Sequence, residues 1–239
     1  MLFVLPALAV VAIYLFAAVL PAVFLMKYVY RKDTIEKEPP MLLLSLVLTG
    51  VLAALLSIGL EYLGEGVLRS CLDAGSPAYT VVLAFLVVGV VEEGTKFLLL
   101  KRRTWRDKNF NYRFDGIVYA VFVSLGFAAF ENIRYVMGYG LTVAVPRALL
   151  AIPGHMGFAV FMGVFYGRAK VCESRGNKAG KTGNLIAGYL SAVLLHGFYD
   201  ACAMIGNVLS TALFVAFVVL MYVAVIRLIR MESESDYAI

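Results

Sequence analysis

Charge is scarce in this chain. Asp, Glu, Lys and Arg make up 15% of its 239 residues, whereas 62% are hydrophobic. Soluble globular domains lie outside those proportions, and chains that cross a bilayer repeatedly lie within them. Long polar connections are missing too: no segment between the apolar runs is long enough for a soluble domain, and there is neither an internal repeat nor a low-complexity linker. Cysteine is rare. Cys71, Cys172 and Cys202 are too few and too scattered for a disulfide framework, and at most Cys71 and Cys202 could meet near one membrane face.

What fills the chain is apolar sequence. Seven runs stand out, at about residues 2–26, 41–63, 78–100, 115–137, 144–167, 184–205 and 209–229, each near the roughly 20 residues that a helix needs to cross hydrocarbon. The expectation is one all-α integral membrane domain over residues 1–239, a bundle of about seven transmembrane helices. The first run has no basic residue before it and exceeds a signal-peptide core, so it reads as a retained helix. Basic residues concentrate in alternate connections: Lys27, Arg31, Lys32 and Lys37; then Lys101 to Arg113; then Arg168 to Lys181. Such loops face the cytoplasm, which sets the N-terminus outside and the C-terminus inside. The net charge of +5 is a topology signal and gives no reason to invoke nucleic acid. The acidic end, "RMESESDYAI", reads as a solvated, flexible tail.

Ionisable residues inside the runs are the exceptions that need a reason. The third run has Glu92, Glu93 and Lys96; the fourth has Glu131, Asn132 and Arg134; the fifth has Arg147 and His155; the sixth has His196 and Asp200. The second has Glu61 near its outer end. Each mid-bilayer charge costs roughly 2.5 to 3.5 kcal/mol, so these groups should face one another or water. Glu92 and Lys96 share a helical face, with Glu93 able to reach the same ammonium. One lysine balances one of the two carboxylates and leaves the other for acid/base work. His196 and Asp200 share a face on their own helix. Pro153 and Gly154 loosen the entry to His155. Counted from the expected span ends, Glu92 and Glu93 lie about 10 Å deeper toward the inner side than the other groups.

Two histidines with several carboxylates suit a metal site or a general acid/base site, and spacing does not choose between them. Zinc ligands, if a metal is used, would come from Glu131, His155, His196 and Asp200. A proton-coupled transporter would also place such groups at mid-membrane, although no inverted repeat is present. A seven-span receptor does not need four ionisable clusters. His-Glu-x-x-His and Gly-x-Ser-x-Gly are both absent, and Asp200 in "GFYD" has no second in-span Asp as a partner.

Four segments in order carry a resemblance. "EEGTK" (92–96) is similar to a Glu-Glu-x-x-Lys/Arg motif, "FAAFEN" (127–132) to Phe-x-x-x-Glu-Asn, "GHMGF" (154–158) supplies a histidine, and "HGFYD" (196–200) is similar to His-x-x-x-Asp. "FDGIVYA" (114–120) leads into the second, and "YRKDTIEKEP" after the first run fits the same pattern. Together they resemble the PrsW family of intramembrane proteases, within the superfamily that includes the CAAX-prenyl endopeptidases. The resemblance implies a multi-pass protein of a prokaryotic plasma membrane that hydrolyses single-pass membrane proteins, making the site-1 cut in anti-sigma factors during stress signalling. It implies Glu92 as general base, Glu93 in support, Glu131 where the CAAX enzymes carry histidine, His155 completing the site, and His196 with Asp200 stabilising the oxyanion. Lys96 and Asn132 would be supporting residues. The same superfamily contains a non-catalytic scaffold, which is the alternative role.

Overall fold

The computed structural model describes residues 4–239, with side chains from Leu8 onward. Residues 2 and 3, where the first apolar run was expected to begin, lie outside it. Helix α1 spans Val4–Lys32 and α2 spans Pro40–Cys71. The third run is continuous but changes character: α3 (Pro77–Val82) passes through a π-helical stretch (Leu83–Gly89) into α4 (Val90–Thr104). Then come α5 (Asp115–Tyr139), a π-helical stretch (Arg147–Ala151), α6 (Ile152–Ser174), α7 (Lys178–Ile205) and α8 (Val208–Glu234). Among the described residues, six helical segments are long and apolar enough to cross a membrane; the run through α3 and α4 is the exception, carrying the charges that make it chemically different.

Local signals set the ends. Ser76 accepts from the Tyr79 N–H before Pro77, Asn177 caps α7 and Asn207 caps α8 through the Gly180 and Ser210 N–H groups. These satisfy donors that the first turn of a helix leaves free. Gly206, at φ 63°, closes α7 in the left-handed region.

Helix α5 is the axis of the bundle, packed by α1, α2 and α6. From Asp115 to Ala129 it is buried on every side. Its crossing with α6 is a backbone contact: a Cβ on Gly163 would lie 2.6 Å from the Ile117 Cα and 2.7 Å from the Gly116 carbonyl oxygen. Without a hydrophobic drive between helices in lipid, such close approach is a main source of association. The outer helices do the reverse and expose large aliphatic and aromatic side chains, Phe16 at 65% and Leu220 at 69% among them. That surface suits lipid.

The side of the bundle with the basic loops is closed by a polar clasp. Asp115 accepts from the Asn111 and Tyr112 N–H groups, and the Tyr119 hydroxyl donates to Glu38 at 2.8 Å. The chain end, expected to be flexible, packs here instead. Asp236 accepts from the Phe114 N–H, the Arg113 N–H donates to the Tyr237 carbonyl, the Ile239 N–H donates to the Asn111 carbonyl, and Arg113 pairs with Glu232. The physical reason is the free N–H groups at the start of α5, which attract anions. Cys71, Cys172 and Cys202 are all free thiols.

Burial pushes the Glu38 carboxyl up to about 7 and that of Asp33, in the same clasp, up to about 6. Folded protein thus keeps the Glu38 proton where an unfolded glutamate, at 4.5, has lost it. The resulting stabilisation is full below 4.5 and is lost as pH rises to about 7. Thermal unfolding of detergent-solubilised protein should therefore show a midpoint that falls across this window, and Glu38→Gln should flatten the fall. An equal slope in both proteins would remove Glu38 as the cause.

Candidate active site

Two π-helical stretches feed the site. Leu83–Gly89 ends three residues before Glu92, and Arg147–Ala151 ends four residues before His155. A π turn accommodates an extra residue, and each residue is worth roughly 100° of rotation about the axis, so such a turn re-aims every side chain downstream. The first stretch lies against α7, where a Cβ on Gly197 would sit 2.4 Å from the Phe85 ring and 2.9 Å from its Cα. Glycine at 197 is what lets α7 approach the helix that carries the two glutamates.

The expected 10 Å depth gap between the glutamates and the histidines is not there. The run through α4 reaches Thr104, beyond the anticipated end at residue 100, which moves its midpoint toward Glu92 by about 2 Å, a minor part of that gap. Lys96 Nζ is 3.1 Å from Glu92 Oε2, 2.8 Å from Glu93 Oε1 and 3.3 Å from His155 Nδ1. Across the site, His196 Nδ1 is 2.8 Å from Glu93 Oε1, while its Nε2 is 3.4 Å from Asp200 and 4.0 Å from Glu92. His155 Nε2 reaches Glu131 at 3.1 Å.

The hydrogen-bond partners assign the protons. An ammonium only donates, so His155 Nδ1 accepts from Lys96 and its Nε2–H donates to Glu131. At His196, Nδ1–H donates to Glu93, and with Asp200 at Nε2 the ring that satisfies both neighbours carries two N–H groups. Phe158 stacks on this imidazole at 4.7 Å between centroids. The Ser124 hydroxyl donates to the His155 carbonyl and pins the start of α6 to α5.

Two cavities, of about 510 and 570 Å³, both reach Glu61, Glu92, Glu131 and Tyr135. The larger also reaches His155, His196 and Asp200. Glu93 reaches neither: it is 0% exposed, and its Oε2 has no hydrogen-bond partner. Asn132 stands behind the site. Its amide donates to the Ala18 carbonyl and its Oδ1 accepts from Arg147, so it ties α5 to α1 and holds the arginine.

Among the described residues, the group whose ligand atoms converge within 4.8 Å of one another is Glu92, Glu93, His155 and His196. This differs from the set expected from the sequence: Glu131 is engaged by Arg147 and His155, and Asp200 stands on the outer side of His196. Two further residues border the site without belonging to any of the four sequence motifs. Glu61, from α2, lines both cavities, and Arg147 pairs with Glu131 at 2.8 Å while lying 3.9 Å over the Tyr135 ring. Both carried the signal that found the others, an ionisable side chain in an apolar run.

Glu131 and Arg147 are both largely buried, and removing one partner of such a pair leaves a charge stranded. Arg147→Met is expected to cost about 3 kcal/mol in unfolding of the solubilised protein. Adding Glu131→Gln should return part of that loss. Strictly additive effects would show that the two side chains do not interact.

Known proteins place this arrangement. The model of the PrsW family intramembrane metalloprotease matches residues 38–228. The chain is 32% identical over 225 residues to Protease PrsW of Clostridioides difficile, covering 92% of this chain and 91% of that one. It is 36% identical over 186 residues to Protease PrsW of Geobacillus kaustophilus (77% and 76% covered) and 33% identical over 184 residues to that of Bacillus subtilis (77% and 79%). No solved structure matches it. A multi-pass helical protein of the cell membrane with this much sequence in common over this much of its length belongs to the PrsW family of intramembrane proteases.

Proposed function

We propose that this protease cuts single-pass membrane proteins, an anti-sigma factor in stress signalling being the substrate the family resemblance favours, and that Glu92 is its general base. One observation carries the assignment: of the paired glutamates, Glu92 lines both cavities, whereas Glu93 is sealed between Lys96 and His196. Water and an extended peptide can reach the first and not the second.

The chemistry follows from the partners. A peptide carbonyl entering the larger cavity beside His196 and Asp200 receives the Nε2–H of His196. A water between that carbon and Glu92 loses a proton to the Glu92 carboxylate as its oxygen bonds to the carbon. The charge that develops on the carbonyl oxygen is held by the N–H of this ring, which Glu93 and Asp200 orient. The proton on Glu92 then passes to the departing amine as the C–N bond breaks. Glu131 fixes His155, and His155 helps to fix Lys96.

Replacing the base by its amide keeps the shape and removes the proton acceptor. New protein N-termini compared between membranes with the parent chain and with Glu92→Gln, at equal protein level, should show fragments of single-pass proteins with the parent alone, with turnover of an identified substrate down by about 10²- to 10⁴-fold. The same fragments in both samples would remove Glu92 from the base role. Termini unchanged in an anti-sigma factor, with others changed, would redirect the substrate reading.

Geometry should matter independently of charge. Gly197→Ala drives a methyl into Phe85 and shifts the helix carrying the glutamates, so activity should fall about a hundredfold, the cost of roughly 1 Å of misplacement. Gly183→Ala on the same helix, where an added Cβ meets nothing within 4 Å, should leave turnover unchanged.

A further inference from the structure

The donor set at the centre of the site invites a metal ion, and the matched family is described as a metalloprotease. Two carboxylates and two imidazoles are good zinc ligands, with bonds of about 2.0 to 2.2 Å. The position such an ion would take is the one the Lys96 ammonium already fills. Its nitrogen contacts Glu92, Glu93 and His155, three of the four converging residues.

The lysine is held there completely. An ammonium has three N–H donors, and here there are three acceptors. Phe127 closes the remaining side, its ring centroid 4.0 Å from Nζ. The side chain is 2% exposed, and it grows from the same helix as both glutamates, three and four residues after them, so it is in reach of both by helix geometry alone. A divalent ion sharing these ligands would have to sit against a like charge or expel it from a saturated shell. The donor set therefore does not fit a metal while Lys96 is in place.

We propose that Lys96 is the resident cation of the site: its ammonium stands in the metal position, neutralises Glu93, orients Glu92 toward the cavity, and excludes a divalent ion. Lys96 is on this account a positioning residue. The inference rests on the protease reading for its catalytic meaning, and its ion-exclusion part can be read without any activity.

The measurement is zinc binding by purified, detergent-solubilised full-length protein, by metal content after equilibration with Zn²⁺ and by the thermal shift that Zn²⁺ produces. The parent chain should hold sub-stoichiometric zinc and show no shift, and its activity should survive chelation. Lys96→Met, with the ligand set vacated, should bind Zn²⁺ about tenfold or more tightly than the parent. Lys96→Arg keeps the charge and should refuse zinc like the parent, which guards against Lys96→Met failing to fold. One tightly held zinc per parent chain, removed by chelation together with activity, would overturn the proposal and leave the protease reading intact. Absent cleavage by a zinc-free parent would instead count against the protease reading and leave the ion exclusion standing. Equal zinc uptake by the parent and a folded Lys96→Met, or zinc held tightly by Lys96→Arg, would overturn the proposal whatever the activity.

Discussion

A charge inside hydrocarbon persists when every hydrogen bond it can make is made, and Lys96, at the centre of this bundle, meets that condition. Its ammonium joins Glu92, Glu93 and His155. Through Glu93 it reaches His196, and through His155 it reaches Glu131 and Arg147. The buried polar network is one connected object, so the helices that contribute to it, α4 to α7, cannot be displaced singly without stranding a charge.

The backbone around that network is unusually close. Glycines at the crossing of α5 and α6 bring main chains together, and Gly197 brings α7 against the π-helical turn before the glutamates. This packing serves two purposes. It replaces the hydrophobic drive that lipid does not supply between helices, and it places side chains from four segments within a few ångströms of one another without loops. The π turns then aim the glutamates and His155 inward, where regular α-helix would rotate them elsewhere.

Burial divides the paired glutamates into different environments although they are adjacent in sequence. Glu93 is enclosed and linked to cations on both sides, whereas Glu92 borders both cavities. At the opposite extreme of α5, Asp115 and Asp236 accept from the N–H groups at and before its first turn, so the chain end that composition marks as solvated is part of the fold.

By itself the sequence determined the membrane class, the approximate spans and the identity of the polar positions, because apolar length and the cost of a buried charge are local properties of a chain. It also determined the pairing of Glu92 and Glu93 with Lys96, and of His196 with Asp200, since helix geometry ties residues three and four apart. Tertiary structure alone decided which of these pairs meet. Two π turns change the facing of α4 and α6, the crossing of the helices brings Glu93 to His196 and Lys96 to His155 despite the apparent depth gap, and neither shows in a hydrophobicity pattern. It also decided that Glu61 borders both cavities, that Arg147 holds Glu131, that Asn132 ties helices instead of touching the cavity, and that Lys96 takes the centre of the donor set. Each of these depends on where separate helices cross, and that is set by backbone contact between residues far apart in the chain.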